Sequence, residues 1–143
     1  MKPHIVEPSS EAEVELNSFL DARIYEFNVQ ATGLCDGRTF SGVIKDESDN
    51  IIAAINGHTW GGCCHITCLW VHEWRRRHGI GRALLQSAEE EAARRGCTQS
   101  LVFTHSFQAP IFYERYGYVR QASIPNYPKG HALHVYIKKL GSK

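Results

Sequence analysis

Apolar and polar residues repeat along the chain with two different periods, and these periods predict the order of its helices and strands. The first helix is predicted to start at Ser10, because Ser10 and Glu13 have the spacing of a capping box. Its apolar residues recur at the helical period of about 3.6 residues, and they are Leu16, Phe19, Leu20, Ile24 and Phe27. The pattern fades near Gly33. Before the helix, Ile5 and Val6 are predicted to form a short edge strand.

Three segments rich in β-forming residues follow this helix. Residues 38–45 and 50–58 are joined by a polar turn, and this arrangement predicts a β-hairpin. A third segment, residues 63–72, comes directly after Gly61 and Gly62. The simplest prediction is an antiparallel meander of three strands.

The second half of the chain predicts helices and strands in alternation. Helical spacing starts at Ile80 and stops at Gly96, and residues 98–104 are predicted to form a strand. Residues 108–117 predict a short helix with Pro110 in its first turn. A further strand begins at residue 118, and residues 124–130 predict irregular structure because they contain two prolines and a glycine. A final strand is predicted because its apolar residues alternate with others, at Leu133, Val135 and Ile137.

Composition limits the possible classes of protein. The 143 residues, 43% of them hydrophobic, predict a single domain over residues 1–143. The sequence has no apolar run of the roughly 20 residues that a membrane span needs, and no secretory signal, so we expect a cytoplasmic protein. The 16 basic and 15 acidic residues give a net charge of +1. We therefore expect no nucleic-acid partner and no membrane partner.

The five cysteines are expected to be reduced thiols. Cys63, Cys64, His65 and Cys68 suggest a zinc site, but there is no second pair of ligands with finger spacing. On a strand, Cys64 and Cys68 would lie about 13 Å apart. We therefore expect no bound metal.

A basic glycine loop lies between the third strand and the following helix, with the pattern Arg76-x-x-Gly79-x-Gly81. Its glycines permit close approach of the backbone, and the N-terminus of the helix provides unpaired N–H groups, so phosphate is the expected ligand. A dinucleotide-binding loop would need a third glycine at Leu84, and a P-loop would need Gly-Lys-Ser/Thr. Two interpretations of this loop remain, a basic surface turn and a pyrophosphate-binding loop of another kind.

This loop resembles the acetyl-CoA pyrophosphate loop of the GNAT superfamily of N-acetyltransferases. A second motif of that family is similar to Gln108-Ala109-x-x-Phe112-Tyr113-x-x-x-Gly117-Tyr118, about 30 residues further on. The order of predicted elements is also similar to the GNAT fold over essentially the whole chain. The resemblance implies an α/β fold of the α+β type. Its central sheet would be mixed, mostly antiparallel and twisted, with about six or seven strands flanked by about three or four helices.

The resemblance also implies which residues bind acetyl-CoA. The backbone of Trp70 and Val71 would pair with the pantetheine arm where the strand bulges, and the Val71 N–H would polarise the thioester carbonyl. The remaining residues expected to contact the cosubstrate belong to the two motifs, and they are Arg76, Arg77, His78, Gly79, Ile80, Gly81, Arg82, Gln108 and Phe112. Arg77 and His78 replace the more common Gly-Lys of the family, and Gln108 is close to, but not at, the usual polar position.

Tyr113 matches the tyrosine that protonates the departing thiolate in this family. His65 lies where some members carry a catalytic glutamate, and it is interpreted either as the general base or as a structural histidine. Thr67 is expected on the same strand face as His65, and Tyr25 and Glu26 belong to the helix that flanks the acceptor cleft in the family. These three residues are therefore expected to contact the acceptor.

The expected function is transfer of an acetyl group from acetyl-CoA to a primary amine of a small molecule. Acetylation of a protein lysine or N-terminus is an alternative, and a non-catalytic CoA-binding sensor or interaction module is an alternative of another class. A homodimer is expected by analogy with the family.

Overall fold

The structure is a computed structural model that describes residues 10–141. It contains two compact units, Met1–Cys35 and Asp36–Lys143. The strand predicted at Ile5 and Val6 lies outside the described residues. Within the part of the chain that is described, no helix is both long enough and apolar enough to span a membrane.

In the first unit the residues that the structure describes form helix α1 over Ser10–Thr32, as predicted. The Thr32 hydroxyl donates to the Asn28 carbonyl at 2.7 Å, and the Gly33 N–H donates to the Val29 carbonyl at the same distance. Gly33 has a positive φ of 75°, which glycine adopts readily at a helix end. The five apolar residues of the predicted stripe are all exposed, from 47% at Leu20 to 68% at Phe27.

The second unit is built on one six-stranded sheet with the order β1-β2-β3-β4-β6-β5. Its strands are β1 Arg38–Lys45, β2 Ile51–Trp60, β3 Cys63–Val71, β4 Gln99–His105, β5 Val119–Pro125 and β6 Ala132–Lys139. All neighbouring strands are antiparallel except β3 and β4, which are parallel. The predicted meander and the predicted mixed, mostly antiparallel sheet are confirmed.

A short 3-10 helix over Glu73–Arg75 leads into helix α2, Ile80–Arg94, and helix α3 spans Pro110–Arg115. Because β3 and β4 are parallel, the chain between them must cross back along the sheet, and α2 makes this crossover. It packs on β1, β2 and β3 through the buried residues Leu84, Leu85, Ala88 and Ala92. The crossover places the glycine loop at the carboxyl end of β3.

Strand β5 extends through Pro125, further than the sequence predicts. Ile124 and Pro125 pair with Leu133 and Ala132 of β6. The sheet order makes β5 an edge strand, so the missing N–H of Pro125 need not cost a ladder bond. The segment from Asn126 to Gly130 is irregular, as predicted.

Strands β3 and β4 separate halfway along β3. Residues 63–66 pair with residues 99–102, and the pairing then stops. Beyond this point residues 67–71 pair only with β2, and residues 103–105 pair only with β6. We call the space between these two segments the cleft.

A β-bulge lies at the start of the cleft. Ile66 pairs with Gly57 and Cys68 with Asn56, so Thr67 is the extra residue. The bulge expected at Trp70 and Val71 is therefore at Thr67. Close backbone contact explains its position: a Cβ on Gly57 would lie 2.2 Å from the His65 carbonyl oxygen, so the two backbones approach here in a way that only glycine allows.

Candidate active site

The cleft exposes backbone groups of β3. The His72 N–H donates to the Ile52 carbonyl at 2.8 Å. Hydrogen-bonded and non-hydrogen-bonded pairs alternate in an antiparallel ladder, so Trp70 and Cys68 also bond to β2. The N–H and C=O groups of Leu69 and Val71 therefore point away from β2, towards the cleft. The N–H and C=O groups of Leu69 and the N–H group of Val71 are available for strand-like pairing with a ligand, whereas the groups of Trp70 bond to β2. The Val71 carbonyl accepts from Arg76.

Arg76 lies at the same side of the strand. Its Nε donates to the Val71 carbonyl at 2.9 Å, which fixes the guanidinium beside the cleft. The turn before it is held by the His72 Nδ1, which accepts from the Trp74 N–H at 3.3 Å. A cation is thereby held where the exposed backbone of β3 ends.

The loop turns through two residues with positive φ, Arg77 at 66° and Gly79 at 80°. The left-handed region costs a residue with a Cβ roughly 1–2 kcal/mol. Glycine, which the resemblance of the loop implies at the position of Arg77, would avoid this cost. Gly79 is the N-cap of α2 and provides no side-chain hydrogen bond, so the first N–H groups of α2 are left to bind an anion.

The second motif packs against the loop. A Cβ on Gly81 would lie 3.4 Å from the Phe112 ring and 3.5 Å from Val71. The Phe112 ring contacts the rings of Tyr113 and Tyr116, at centroid distances of 5.1 and 5.0 Å. The two motifs, which are separate in sequence, thus meet at one end of the cleft. Free strand backbone, a fixed arginine and an open helix N-terminus together fit an extended ligand that carries phosphate, such as acetyl-CoA.

Tyr113 is only 5% exposed, and burial, together with the nearby Cys68 thiol, raises its pKa to about 12. Within the described residues its hydroxyl has no hydrogen-bond partner. The buried tyrosines around it differ: the Tyr118 hydroxyl lies 2.8 Å from a Glu89 oxygen and 2.9 Å from the Ser100 hydroxyl, and the Tyr136 hydroxyl donates to Glu114 at 2.8 Å. Tyr113 therefore keeps its proton at neutral pH and has it available for a ligand.

His65 is half-buried on β3, just before the bulge. Its ring lies 5.1 Å from the His58 ring and 5.2 Å from the Phe103 ring. Burial lowers the pKa of His65 below the usual 6.5, and the neighbouring His58 lowers it further. The imidazole is thus neutral at pH 7 and can accept a proton. Thr67, two residues on, is exposed at the bulge.

Other predicted site residues have structural partners. The Gln108 Oε1 accepts from the His105 N–H at 2.8 Å, which closes the turn after β4. Glu26 pairs with Arg23 at 2.6 Å on α1, and Tyr25 beside it is half-buried. Both residues belong to the first unit, and their contact with the acceptor stays a prediction. The Arg82 guanidinium lies over the Tyr116 ring, 5.6 Å from its centroid.

The sequence analysis did not include Leu69, because it placed the bulge at Trp70 and Val71 and treated the alternation before them as unbroken. The sequence does contain a signal of the bulge. Cys64 and Ile66 are buried, and the next residues packed against the core are Leu69 and Val71. The apolar positions change from even to odd numbers, which is the effect of one inserted residue.

Comparison with known proteins agrees with this geometry. The model of the acetyltransferase (GNAT) family matches residues 7–118. The chain is 40% identical to a blasticidin-S acetyltransferase of Streptomyces morookaense over 95 residues, which are 66% of this chain and 70% of that protein.

Two solved structures have a similar fold. An acetyltransferase from Agrobacterium tumefaciens, described there as putative, superposes with a TM-score of 0.82 and 29% identity over 98% of this chain and 100% of that one. An aminoglycoside 6'-N-acetyltransferase in complex with coenzyme A superposes with a TM-score of 0.66 and 18% identity, over 73% of this chain and 74% of that one. Given the match to the family model over most of its length, the chain belongs to the GNAT acetyltransferase family and is an acetyl-CoA-dependent N-acyltransferase.

Proposed function

We propose that this enzyme transfers the acetyl group of acetyl-CoA to a primary amine of a small molecule, in the cleft between β3 and β4. The observation that carries the proposal is the bulge at Thr67, beyond which β3 separates from β4 and turns the N–H groups of Leu69 and Val71 towards the cleft. Acetyl-CoA supplies the activated acetyl group as a thioester.

The residues of the cleft divide the binding between them. Arg76, the amides from Arg77 to Arg82 and the N-terminus of α2 hold the pyrophosphate. Leu69 and Val71 pair with the pantetheine arm, and an N–H from this pair polarises the thioester carbonyl. The backbone of Val71 is restrained through Arg76, so this donor is positioned before the ligand binds.

The reaction forms a C–N bond and breaks the C–S bond. An alkyl amine has a pKa near 10.4, so at pH 7 it must lose a proton before it attacks. In the proposed mechanism neutral His65 accepts this proton, directly or through water, and releases it to solvent. Because the pKa of His65 lies below that of the amine, this transfer is uphill, and consumption of the neutral amine in C–N bond formation draws it forward. Holding the two reactants together supplies much of the remaining rate enhancement.

Tyr113 acts on the departing sulfur. A thiol has a pKa of about 8.5, and the pKa of Tyr113 is about 12. Complete proton transfer from this phenol to a thiolate would be uphill by about 5 kcal/mol, at 1.36 kcal/mol for each pKa unit. We therefore infer that Tyr113 stabilises the leaving sulfur mainly by donating a hydrogen bond as negative charge develops on it.

The acceptor class is proposed from the relative that is 40% identical and named for blasticidin S, a small molecule. The test is mass spectrometry of acetyl transfer from acetyl-CoA to blasticidin S, aminoglycosides, polyamines, amino sugars and lysine peptides. We expect acetylation of a small amine, and no comparable acetylation of the peptides. Efficient transfer to peptides, or tight CoA binding without any acetylated product, would contradict the proposal.

A further inference from the structure

Four aromatic and imidazole rings form a cluster at the carboxyl end of β4. His105 and Phe107 are stacked, with centroids 5.4 Å apart and an angle of 10° between the ring planes. The Tyr127 ring packs edge-on to His105 at 5.2 Å, and the His131 ring packs edge-on to Phe107 at 5.0 Å. We call these four residues the ring cluster. They come from the end of β4, the segment after it, and the segment between β5 and β6.

Hydrogen bonds hold these two segments together. The Ser106 N–H donates to the Ala132 carbonyl at 2.8 Å, and the Ala132 N–H donates to the Ser106 hydroxyl at 3.1 Å. The His105 Nδ1 lies 3.1 Å from the Tyr127 carbonyl oxygen. The His105 N–H donates to Gln108 at 2.8 Å. The backbone that carries the rings is therefore fixed without any contribution from burial of the rings themselves.

The rings remain available to a ligand. Phe107 is 56% exposed and Tyr127 is 54% exposed, and His131 is exposed as well. Exposed aromatic side chains that are grouped together and fixed in position are typical of binding surfaces, because each ring still has apolar area to bury. A stack that filled the protein core would be buried on both sides.

The ring cluster is continuous with the proposed reaction centre. Because β3 and β4 are parallel, their carboxyl ends lie at the same edge of the sheet. The His65 ring contacts Phe103 on β4 at 5.2 Å. His105 is two residues further along β4, on the same face as Phe103 and about 6.6 Å away along the strand.

We propose that the ring cluster binds a planar, conjugated ring of the acceptor, while the amine of that acceptor points towards His65; this inference rests on the proposed function. Phe107 and Tyr127 provide aromatic surface for stacking. The imidazoles of His105 and His131 can exchange hydrogen bonds with heteroatoms at the edge of a heteroaromatic ring. The preferred acceptors are therefore amines that carry such a ring within a few bonds of the nitrogen.

The experiment compares pairs of amines that differ only in ring saturation. The pairs are benzylamine with cyclohexylmethylamine, 2-phenylethylamine with 2-cyclohexylethylamine, and furfurylamine with tetrahydrofurfurylamine. Acetyl transfer is followed by mass spectrometry. Binding of the same amines to the CoA-loaded enzyme is followed separately by ligand-observed NMR, which does not depend on turnover.

The wild-type enzyme is expected to bind the planar member of each pair at least about 5-fold more tightly, from the energy of ring stacking. Phe107→Leu keeps an apolar side chain at an exposed position and removes the aromatic face. It is expected to reduce the preference to within 2-fold. Val119→Ala, at an exposed site at the other end of β5, is the matched control and should keep the wild-type preference.

Equal binding of planar and saturated amines, or a preference that survives in Phe107→Leu, would overturn the inference. Acetyl transfer without any ring preference would leave the proposed function standing and exclude the ring site. Ring binding that depends on Phe107, without transfer to any amine, would leave the ring site standing and exclude the proposed function. A dimer that Phe107→Leu dissociates in gel filtration, with no ring preference in the wild type, would make the cluster a contact between two copies.

Discussion

Residues 63–66 and residues 67–71 of β3 belong to one strand but have different neighbours. The first segment pairs with β2 on one side and β4 on the other, and it contains Cys64 and Ile66, which are almost fully buried. The second segment pairs only with β2, and Thr67, Cys68 and Trp70 in it are exposed. One inserted residue at the bulge separates them.

With one inserted residue this fold forms a binding site without weakening its core. Hydrogen-bonding capacity that the first segment uses for stability is kept free by the second segment for a ligand. The same division holds for the buried tyrosines, since Tyr118 bonds within the protein and Tyr113 does not. Substitutions of groups that bond within the protein should therefore change stability, and substitutions of groups that are free for a ligand should change activity.

The largest effect is expected at Gly57, opposite the last paired residue before the bulge. A Cβ there would meet the His65 carbonyl oxygen at 2.2 Å and the Phe40 ring at 2.6 Å, so backbone must move. Gly57→Ala should lower the free energy of unfolding by about 3 kcal/mol or more. Urea unfolding measures this, with Ser41→Ala at an exposed position of β1 as control. Wild-type stability in Gly57→Ala would mean that the strands do not approach closely here.

The next effect compares Tyr113 with Tyr118. Tyr113→Phe should lower kcat by about 100-fold while the melting temperature stays near that of the wild type, because no internal hydrogen bond is lost. Tyr118→Phe should lower stability by about 1–2 kcal/mol and leave kcat within a few-fold, because it removes a buried hydroxyl bonded to Glu89 and Ser100. If both variants lost only stability, Tyr113 would have no role in the reaction.

A smaller effect, dependent on pH, is expected at His65. Because its pKa is lowered from 6.5, the folded state favours the neutral imidazole, and the unfolded chain takes up the proton first as the pH falls. The contribution of neutral His65 to the free energy of unfolding is therefore fully present above about pH 6.5, the pKa in the unfolded chain. It is lost as the pH falls from there through the lower pKa of the folded state. Denaturant unfolding at several pH values should show this slope in the wild type, and a weaker slope in His65→Gln.

The activity of the same variant tests the proposed base. His65→Gln should reduce kcat/KM about 10-fold at pH 7 and recover as the pH approaches the pKa of the amine, where no base is needed. A uniform loss over the whole pH range would show that His65 is structural.

The smallest effect is expected at Arg77, which occupies the left-handed region with φ of 66°. Arg77→Gly removes the backbone strain but increases the freedom of the unfolded chain, so the expected gain in stability is at most about 1 kcal/mol. The loss of one exposed cation should raise the KM for acetyl-CoA by about 2- to 5-fold. Arg77→Ala, which loses the charge but keeps the strain, is the control. A loss of stability in Arg77→Gly would contradict the strained backbone.

Local pattern was sufficient for most of the fold. The polar turn before β2, the helical spacing of α2 and the alternation in β6 each depend on neighbouring residues, and the structure has these elements. Strand β5 can continue through Pro125 because it lies at the edge of the sheet. This edge position depends on the order of all six strands, which local pattern does not give.

Predicting the site was harder, since it depends on where β3 and β4 separate. The two motifs identified the loop and Tyr113, but the inserted residue at Thr67 changes which backbone groups face the cleft. The ring cluster also depends on long-range geometry, because His105 and Tyr127 are 22 residues apart and meet only when β5 and β6 pair. The periodicity of neighbouring residues therefore cannot predict this contact.

Amide hydrogen exchange by NMR, residue by residue along β3 with and without CoA, distinguishes the two segments of this strand. Slow exchange is expected at Cys64 and Ile66 in both samples. Fast exchange is expected at Leu69 and Val71 in the free enzyme, with strong protection when CoA is bound. Protection of Leu69 and Val71 before CoA is added, or no change on its addition, would contradict the claim that the second segment of β3 is the cofactor-binding strand.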